Sequence, residues 1–214
     1  MKQIKKDYII LMGDIIKSSE QDQALLMNDF QEVIQSINVK YCDKLLSPLT
    51  ITLGDEFQGI IKNSVSAITL IIDLEELILK SNKSLKIRYV CHEGAIETPI
   101  NSTIAYGMLG NGLTCARKEI EQLKKEKKRF KISLKDNHLS QIYNHAFTIF
   151  DAVLKHWKTD DILIVILFLE GLDYKAVANK LNKNRSLLWK REKNLRLEEY
   201  FSIKSILKTL QVND

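Results

Sequence analysis

The chain is poor in residues that break or cross-link a fold. Two prolines and eight glycines in 214 residues argue against disorder or a long flexible linker. Cysteine is scarce too: Cys42, Cys91 and Cys115 make an odd total with no CxxC spacing. That excludes a disulfide framework and a paired-cysteine zinc site, and it fits a reducing compartment. No stretch approaches the roughly 18 apolar residues of a membrane span; the most apolar run, Ile162 to Leu169, is far too short. The opening MKQIKKDYIILMGD is basic and then apolar, but the apolar run stops at Gly13-Asp14 with no small-residue cleavage site behind it. A signal peptide is therefore not expected, and a cytoplasmic location is. Internal repeats and low-complexity segments are also missing. The composition itself is globular, 45% hydrophobic and 28% charged, sufficient for one large domain or two small ones. A net charge of +5 permits an anionic partner without requiring one.

Along the chain, Tyr8 to Met12 is a compact apolar run ended by Gly13, the pattern of a strand buried on both faces. Ser18 and Ser19 offer helix N-caps, with Gln21 and Asp22 as capping-box partners. Leu25, Phe30, Val33, Ile34 and Ile37 then follow at helical spacing, predicting a helix from about Glu20 to Tyr41. Pro48 to Leu53 and Phe57 to Ile61 predict a hairpin with its tip at Gly54-Asp55. Ser64 caps a second helix through about Lys80, and Leu85 to Cys91 reads as another strand. The order β-α-β-β-α-β is the ferredoxin-like arrangement. Gly107 to Gly112 is a turn, Leu113 to about Lys125 a helix, and Phe130 to Leu134 a further strand. From Leu139 onward the signal is helical. The expected organisation is a palm domain over residues 1–134, a connecting helix over 135–157 and an all-α domain over 158–214.

This topology makes a claim about two carboxylates. A right-handed crossover sets the first two strands parallel, so Asp14, at the end of the first, and Asp55, in the turn after the second, converge at one sheet edge. Two repelling carboxylates suit Mg²⁺, or Mn²⁺, shared with substrate phosphates. The loop through Lys17, Ser18 and Ser19 leads to a helix start whose N–H groups suit a phosphate. The plainer alternative is that Gly-Asp is turn material and that Asp near a helix start is a cap.

The segments YIILMGDIIKSS, ITLGDEFQGII, IRYVCHEGAIET and GNGLTCARKEIE resemble the SatD family of bacterial proteins over nearly the whole chain. Residues 7–134 are also similar, more distantly, to class III nucleotidyl cyclases and GGDEF diguanylate cyclases. The resemblance implies an α/β (α+β) cyclase-like palm with its metal on Asp14, Ile15 and Asp55. It adds Gly54, Glu56 and the triphosphate-contacting Arg117 to the nucleotide set. There are departures: Leu53 replaces the first glycine of GGDEF, Ile51 the purine-reading lysine and Leu113 the asparagine four residues before the arginine. The parts that hold metal are kept while those that read the base and stabilise a transition state are replaced, which favours binding without cyclisation.

The C-terminal segment resembles a helix-turn-helix. Asp161 to Leu169 predicts a helix stopped at Gly171. Asp173 to Leu181 predicts a second, Asn182 a left-handed turn residue, and Ser186 to Arg191 a third. Small Ala178 allows close packing with Val177, Leu181 and Leu188 in the seam. Asn184, Arg185, Ser186, Trp189 and Lys190 then lie at the start of a recognition helix able to reach bases or phosphates of DNA. The alternative is a helical hairpin used as a dimer interface. The basic run Lys124 to Lys131 is expected to be a solvated helix end, Trp157 to pack at the domain junction, and His92 and Glu93 to hold no role. The combined expectation is a DNA-binding transcription regulator, dimeric, with a Mg-nucleotide-binding sensor. A metal-dependent nucleotidyl transferase, cyclase or NTP hydrolase is the alternative.

Overall fold

The computed structural model describes residues 6–18, 22–52, 54–81, 83 and 85–210. Its first strand, β1 (Asp7–Ile15), is buried without a break from Ile9 onward, as a central strand must be. The strand does not stop at Gly13. It continues through Asp14 and Ile15, antiparallel to β3 (Glu56–Ile61) on one side and to β4 (Ile87–Ala95) on the other. β2 (Leu45–Ile51) lies antiparallel outside β3, and β5 (Phe130–Ser133) lies parallel outside β4. The order is β2-β3-β1-β4-β5, a mixed five-stranded sheet in an α+β fold. The helices α1 (Gln23–Lys40) and α2 (Ser64–Lys80) complete the expected ferredoxin-like unit. The fourth strand starts later than its apolar run and reaches Ala95, because it pairs with the full length of β1 from Asp7↔Ala95 to Ile15↔Ile87.

Alternation along β1 sorts the two layers. Ile9, Leu11 and Ile15 pack in the core with Phe30, Val33 and Ile37 of α1 and Ile68, Ile71 and Ile72 of α2. Ile10 and Met12 pack on the other face with Leu113, Ala116, Ile120 and Leu123 of α3 (Asn111–Glu126). Asp14 shares that second face. α3 sits unusually close to β4, since a Cβ on Gly94 would stand 2.8 Å from Gly112 Cα. The start of α1 differs from expectation: its N-cap is Asp22, whose carboxylate accepts from the backbone N–H groups of Ala24 and Leu25. Of the two serines expected to cap it, Ser18 donates to Asp55 instead, and Ser19 lies outside the described residues.

The remaining helices are α4 (Asn137–His156), α5 (Ile162–Leu169), α6 (Tyr174–Lys180), α7 (Arg185–Asn194) and α8 (Leu197–Thr209), with a 3-10 turn at Thr159–Asp161 before α5. The core runs from the sheet into these helices without interruption. A file of aromatic rings marks the path. Phe57 meets Tyr89, Tyr89 stacks on Phe130, Phe130 on Phe147, and Phe147 meets Phe150 edge-on. Phe150 then touches Tyr200, which packs on Trp157 with centroids 5.0 Å apart. Each such pair adds about 0.5–1.5 kcal/mol beyond its burial.

Polar groups close the same junction. Arg129 is 5% exposed and donates to Ile87 O, to Glu75 Oε1 at 2.6 Å and to Asp151 Oδ1 at 3.1 Å. The basic run is thus not uniformly a solvated helix end; Arg129 leaves it for the core because two carboxylates from α2 and α4 meet there. The Tyr200 hydroxyl donates to Glu76 Oε1 at 2.8 Å, Lys204 pairs with the same oxygen, and Lys208 pairs with Asp73. α8 is therefore pinned to α2 along its length. Trp157 packs at the junction as expected, its indole N–H donating to Leu195 O at 2.7 Å. Among the described residues no helix is long and apolar enough to cross a membrane.

Candidate functional site

Asp14 is 2% exposed at the end of β1. Its Cα faces Glu56 on β3 and Arg88 on β4. Asp55 sits in the turn before β3, and its carbonyl accepts from the Ile15 N–H at 2.9 Å. The two aspartates do come to one sheet edge. Ser18 joins them, its hydroxyl donating to Asp55 Oδ2 at 2.6 Å. Lys17 stands beside Ser18 in a left-handed conformation, φ 60°. Gly54 is also left-handed, φ 82°, so the turn tolerates few other residues there.

The sequence did not point to the partners of Asp14. Arg88 Nη1 lies 2.6 Å from Asp14 Oδ2, and Lys124 Nζ lies 2.9 Å from Asp14 Oδ1. Lys124 also contacts Glu56 at 3.2 Å and Glu121 at 3.0 Å. Partial burial works against its charge, but Asp14, Glu121 and Glu56 outweigh this and hold the ammonium above the ordinary lysine range. Lys124 is seven residues after Arg117, hence two turns along one helix face, a spacing visible in the sequence. Arg88 required the strand register.

A divalent ion does not fit this arrangement. Both oxygens of Asp14 already carry protein cations. Among the described residues, no three His, Cys, Asp or Glu side chains gather as a metal-binding group. The expected phosphate position at the start of α1 is likewise taken, by the Asp22 carboxylate.

Next to this edge, on the α3 face, lies a cleft of about 530 Å³. Its floor is apolar, with Met12, Met108 and Leu113; Thr52, Gln58 and Thr114 add polar groups, and Tyr106, 65% exposed, stands at its mouth. Arg117 and Lys118 line it, both exposed, and neither has a carboxylate partner among the described residues. A smaller recess joins Arg117 to Gly13, Glu56 and Phe57. Arg117 therefore shares the cleft rather than the carboxylate pair. Leu113 is 9% exposed and belongs to the apolar seam under α3. α3 begins at Gly110, which offers no side-chain cap, so its first N–H groups remain available to a ligand.

In the C-terminal helices, α6 and α7 are joined through residues 181–184, with Asn182 at φ 51°. Val177, Ala178 and Leu188 are buried between them, while Leu181 is half-buried. Asn184 caps α7, accepting from the N–H and hydroxyl of Ser186, each at 2.8 Å. Arg185, Trp189 and Lys190 are exposed. The far end of α7 is anchored: Arg191 pairs with Asp161, and His156 Nε2 lies 2.8 Å from Asn194 O.

The model of the SatD family matches residues 8–211. A search of curated proteins finds no match. Among solved structures, the chain is similar to a bacterial light-regulated adenylyl cyclase at 14% identity and a TM-score of 0.44, covering 61% of this chain and 44% of that one. It is similar to the adenylyl cyclase CyaB from P. aeruginosa at 16% identity and a TM-score of 0.40, covering 57% and 74%. It is also similar to the guanylyl cyclase domain of the RhoGC fusion protein from the aquatic fungus Blastocladiella emersonii, at 15% and 0.39, covering 53% and 75%. The chain thus spans less than half the length of the first of these. Likeness at these values carries no argument about activity, and the assignment of the sheet rests on its own strand order.

Proposed function

Because the chain belongs to the SatD family, whose match over residues 8–211 takes in both the palm and the C-terminal helices, we propose that the two parts serve one activity: a DNA-binding regulator whose palm binds a nucleotide. The observation that carries the proposal is the cleft with Arg117 and Lys118 at its side, without carboxylate partners among the described residues, and a helix start at Gly110 with no side-chain cap. An apolar floor with a few convergent polar groups is the common form of a small-ligand site. A cation pair and a helix N-terminus favour a phosphate.

Two features speak against catalysis. Leu113 stands where a cyclase carries its asparagine and is committed to packing. Ile51 replaces the purine-reading lysine at the end of β2. The helix-turn-helix reading draws support from the buried seam of Val177, Ala178 and Leu188 and from the exposed Arg185, Trp189 and Lys190 at the free end of α7. Asn184 and Ser186 are then positioning groups, since each occupies the other. The aromatic file and the α2–α8 ion pairs join the palm to these helices.

The test is fluorescence anisotropy on genomic DNA fragments across a salt series. Affinity should fall steeply with salt through counterion release, and Arg185→Ala with Lys190→Ala should weaken binding while leaving the fold intact. A nucleotide that raises the melting temperature should also shift the DNA isotherm. Absence of binding at low salt would leave α6 and α7 as an interaction module.

A further inference from the structure

The carboxylate at the sheet edge is already neutralised by the chain itself. We infer that this edge works without a metal: Arg88 and Lys124 supply the positive charge at Asp14, and the neighbouring cleft takes a nucleoside monophosphate with no divalent ion. The ligand half of this inference rests on the nucleotide reading above; the metal half does not.

Arg88 is placed by the sheet. It lies directly opposite Asp14 in the β1–β4 register, so the two side chains share one face as nearest neighbours. Its side chain is 14% exposed and its Nε is buried without a partner. A guanidinium so enclosed has Asp14 as its one carboxylate partner among the described residues. Lys124 is placed by α3, which the Gly94–Gly112 approach and the apolar seam hold against the sheet. A Mg²⁺ bound to Asp14 would sit about 2.1 Å from a carboxylate oxygen and would keep several waters. The nitrogens 2.6 and 2.9 Å from those oxygens occupy that space and carry the same sign of charge. An ion on Oδ1 would meet the Lys124 ammonium and one on Oδ2 the Arg88 guanidinium, so either approach is opposed by a like charge.

The ligand class follows from charge. Without a metal, the cations available in the cleft are Arg117 and Lys118. A phosphomonoester carries about −1.5 to −2 at pH 7, which two cations match. A triphosphate carries more, and in other sites relies on a divalent ion to offset it. The cleft's volume, about 530 Å³, falls within the roughly 300–1,000 Å³ usual for small-ligand sites.

Two measurements on the full chain decide the matter. In the first, Mn²⁺ is titrated without nucleotide and followed by the electron paramagnetic resonance of the free ion. Wild type, Asp14→Asn and Asp55→Asn should give superimposable curves. One Mn²⁺ bound per wild-type chain and lost in either variant overturns the metal-free edge; Asp55 lies in a turn, so its variant guards against misfolding of the first. In the second, AMP, GMP, ATP and GTP are titrated calorimetrically in EDTA and in Mg²⁺. A monophosphate should bind equally in both buffers and about tenfold or more weakly in Arg117→Ala. Binding confined to the Mg²⁺ buffer overturns the inference. If no nucleotide binds in either buffer, the proposed nucleotide function and the ligand half fall together, and the Mn²⁺ titration still decides the metal half.

Discussion

The sheet edge and the helix junction are built from the same chemistry and differ in what surrounds it. At the edge, Asp14 meets Arg88 and Lys124. At the junction, Arg129 meets Glu75 and Asp151, and Glu76 meets Tyr200 and Lys204. Burial works against the charge of Arg129, but Glu75 and Asp151 outweigh it and hold the guanidinium protonated. Burial, with Glu76 beside it, also pushes the Tyr200 hydroxyl far above its ordinary range, so it stays a donor. Every junction group faces another part of the chain. The edge opens instead toward a recess and a cleft lined by Arg117, which has no carboxylate partner among the described residues. An ion pair between layers fixes the fold; one beside a cleft sets the charge that a ligand meets.

Substitutions can break or sharpen this contrast. The largest effect is expected for Arg129→Met, which leaves two buried carboxylates facing each other; breaking such a pair costs about 3–5 kcal/mol. Urea unfolding followed by circular dichroism measures it, and a loss no greater than that of an edge variant would erase the distinction. Tyr200→Phe removes one donor to a charged acceptor and should cost about 1.5–3 kcal/mol by the same measurement. Lys124→Met should cost about 1 kcal/mol or less, because a third of its side chain is in solvent.

The smallest effect is one of pH. Burial raises the Asp73 carboxyl, but Lys40, Tyr41 and Lys208 outweigh it and hold it below the usual range. A group depressed in the folded state stabilises above its unfolded pKa, about 3.9, and loses that contribution as pH falls through the folded value. The grip of α8 on α2 should therefore weaken in acid below about pH 4, and Asp73→Asn should remove that component of the urea midpoint's pH dependence.

Much of the palm could be read directly. The run from Tyr8 to Met12, the helical spacing around Phe30 and the Gly54-Asp55 turn each carry a local signal, and the ferredoxin-like arrangement of the first four strands followed from the sequence of elements. The meeting of Asp14 and Asp55 at one edge followed from that order alone. Arg129 could not be read, because five basic neighbours mask it and its partners lie 54 and 22 residues away. Arg88 could not be matched to Asp14 without the register. The helix start went to Asp22, whose carboxylate accepts from the N–H groups of Ala24 and Leu25, while Ser18 donates to Asp55. Leu53, which replaces the first glycine of GGDEF, lies outside the described residues.

The aromatic file also decides what light can report. The chain has two tryptophans. Trp157 is 7% exposed, packed on Tyr200 and bonded to the carbonyl that ends α7, whereas Trp189 is 48% exposed on α7 itself. The first should emit toward the blue and the second toward the red. A quencher dissolved in water will reach Trp189 first. Each residue therefore reports on a different end of one helix: Trp189 on whatever docks against its surface, Trp157 on any shift that travels through the rings from the palm.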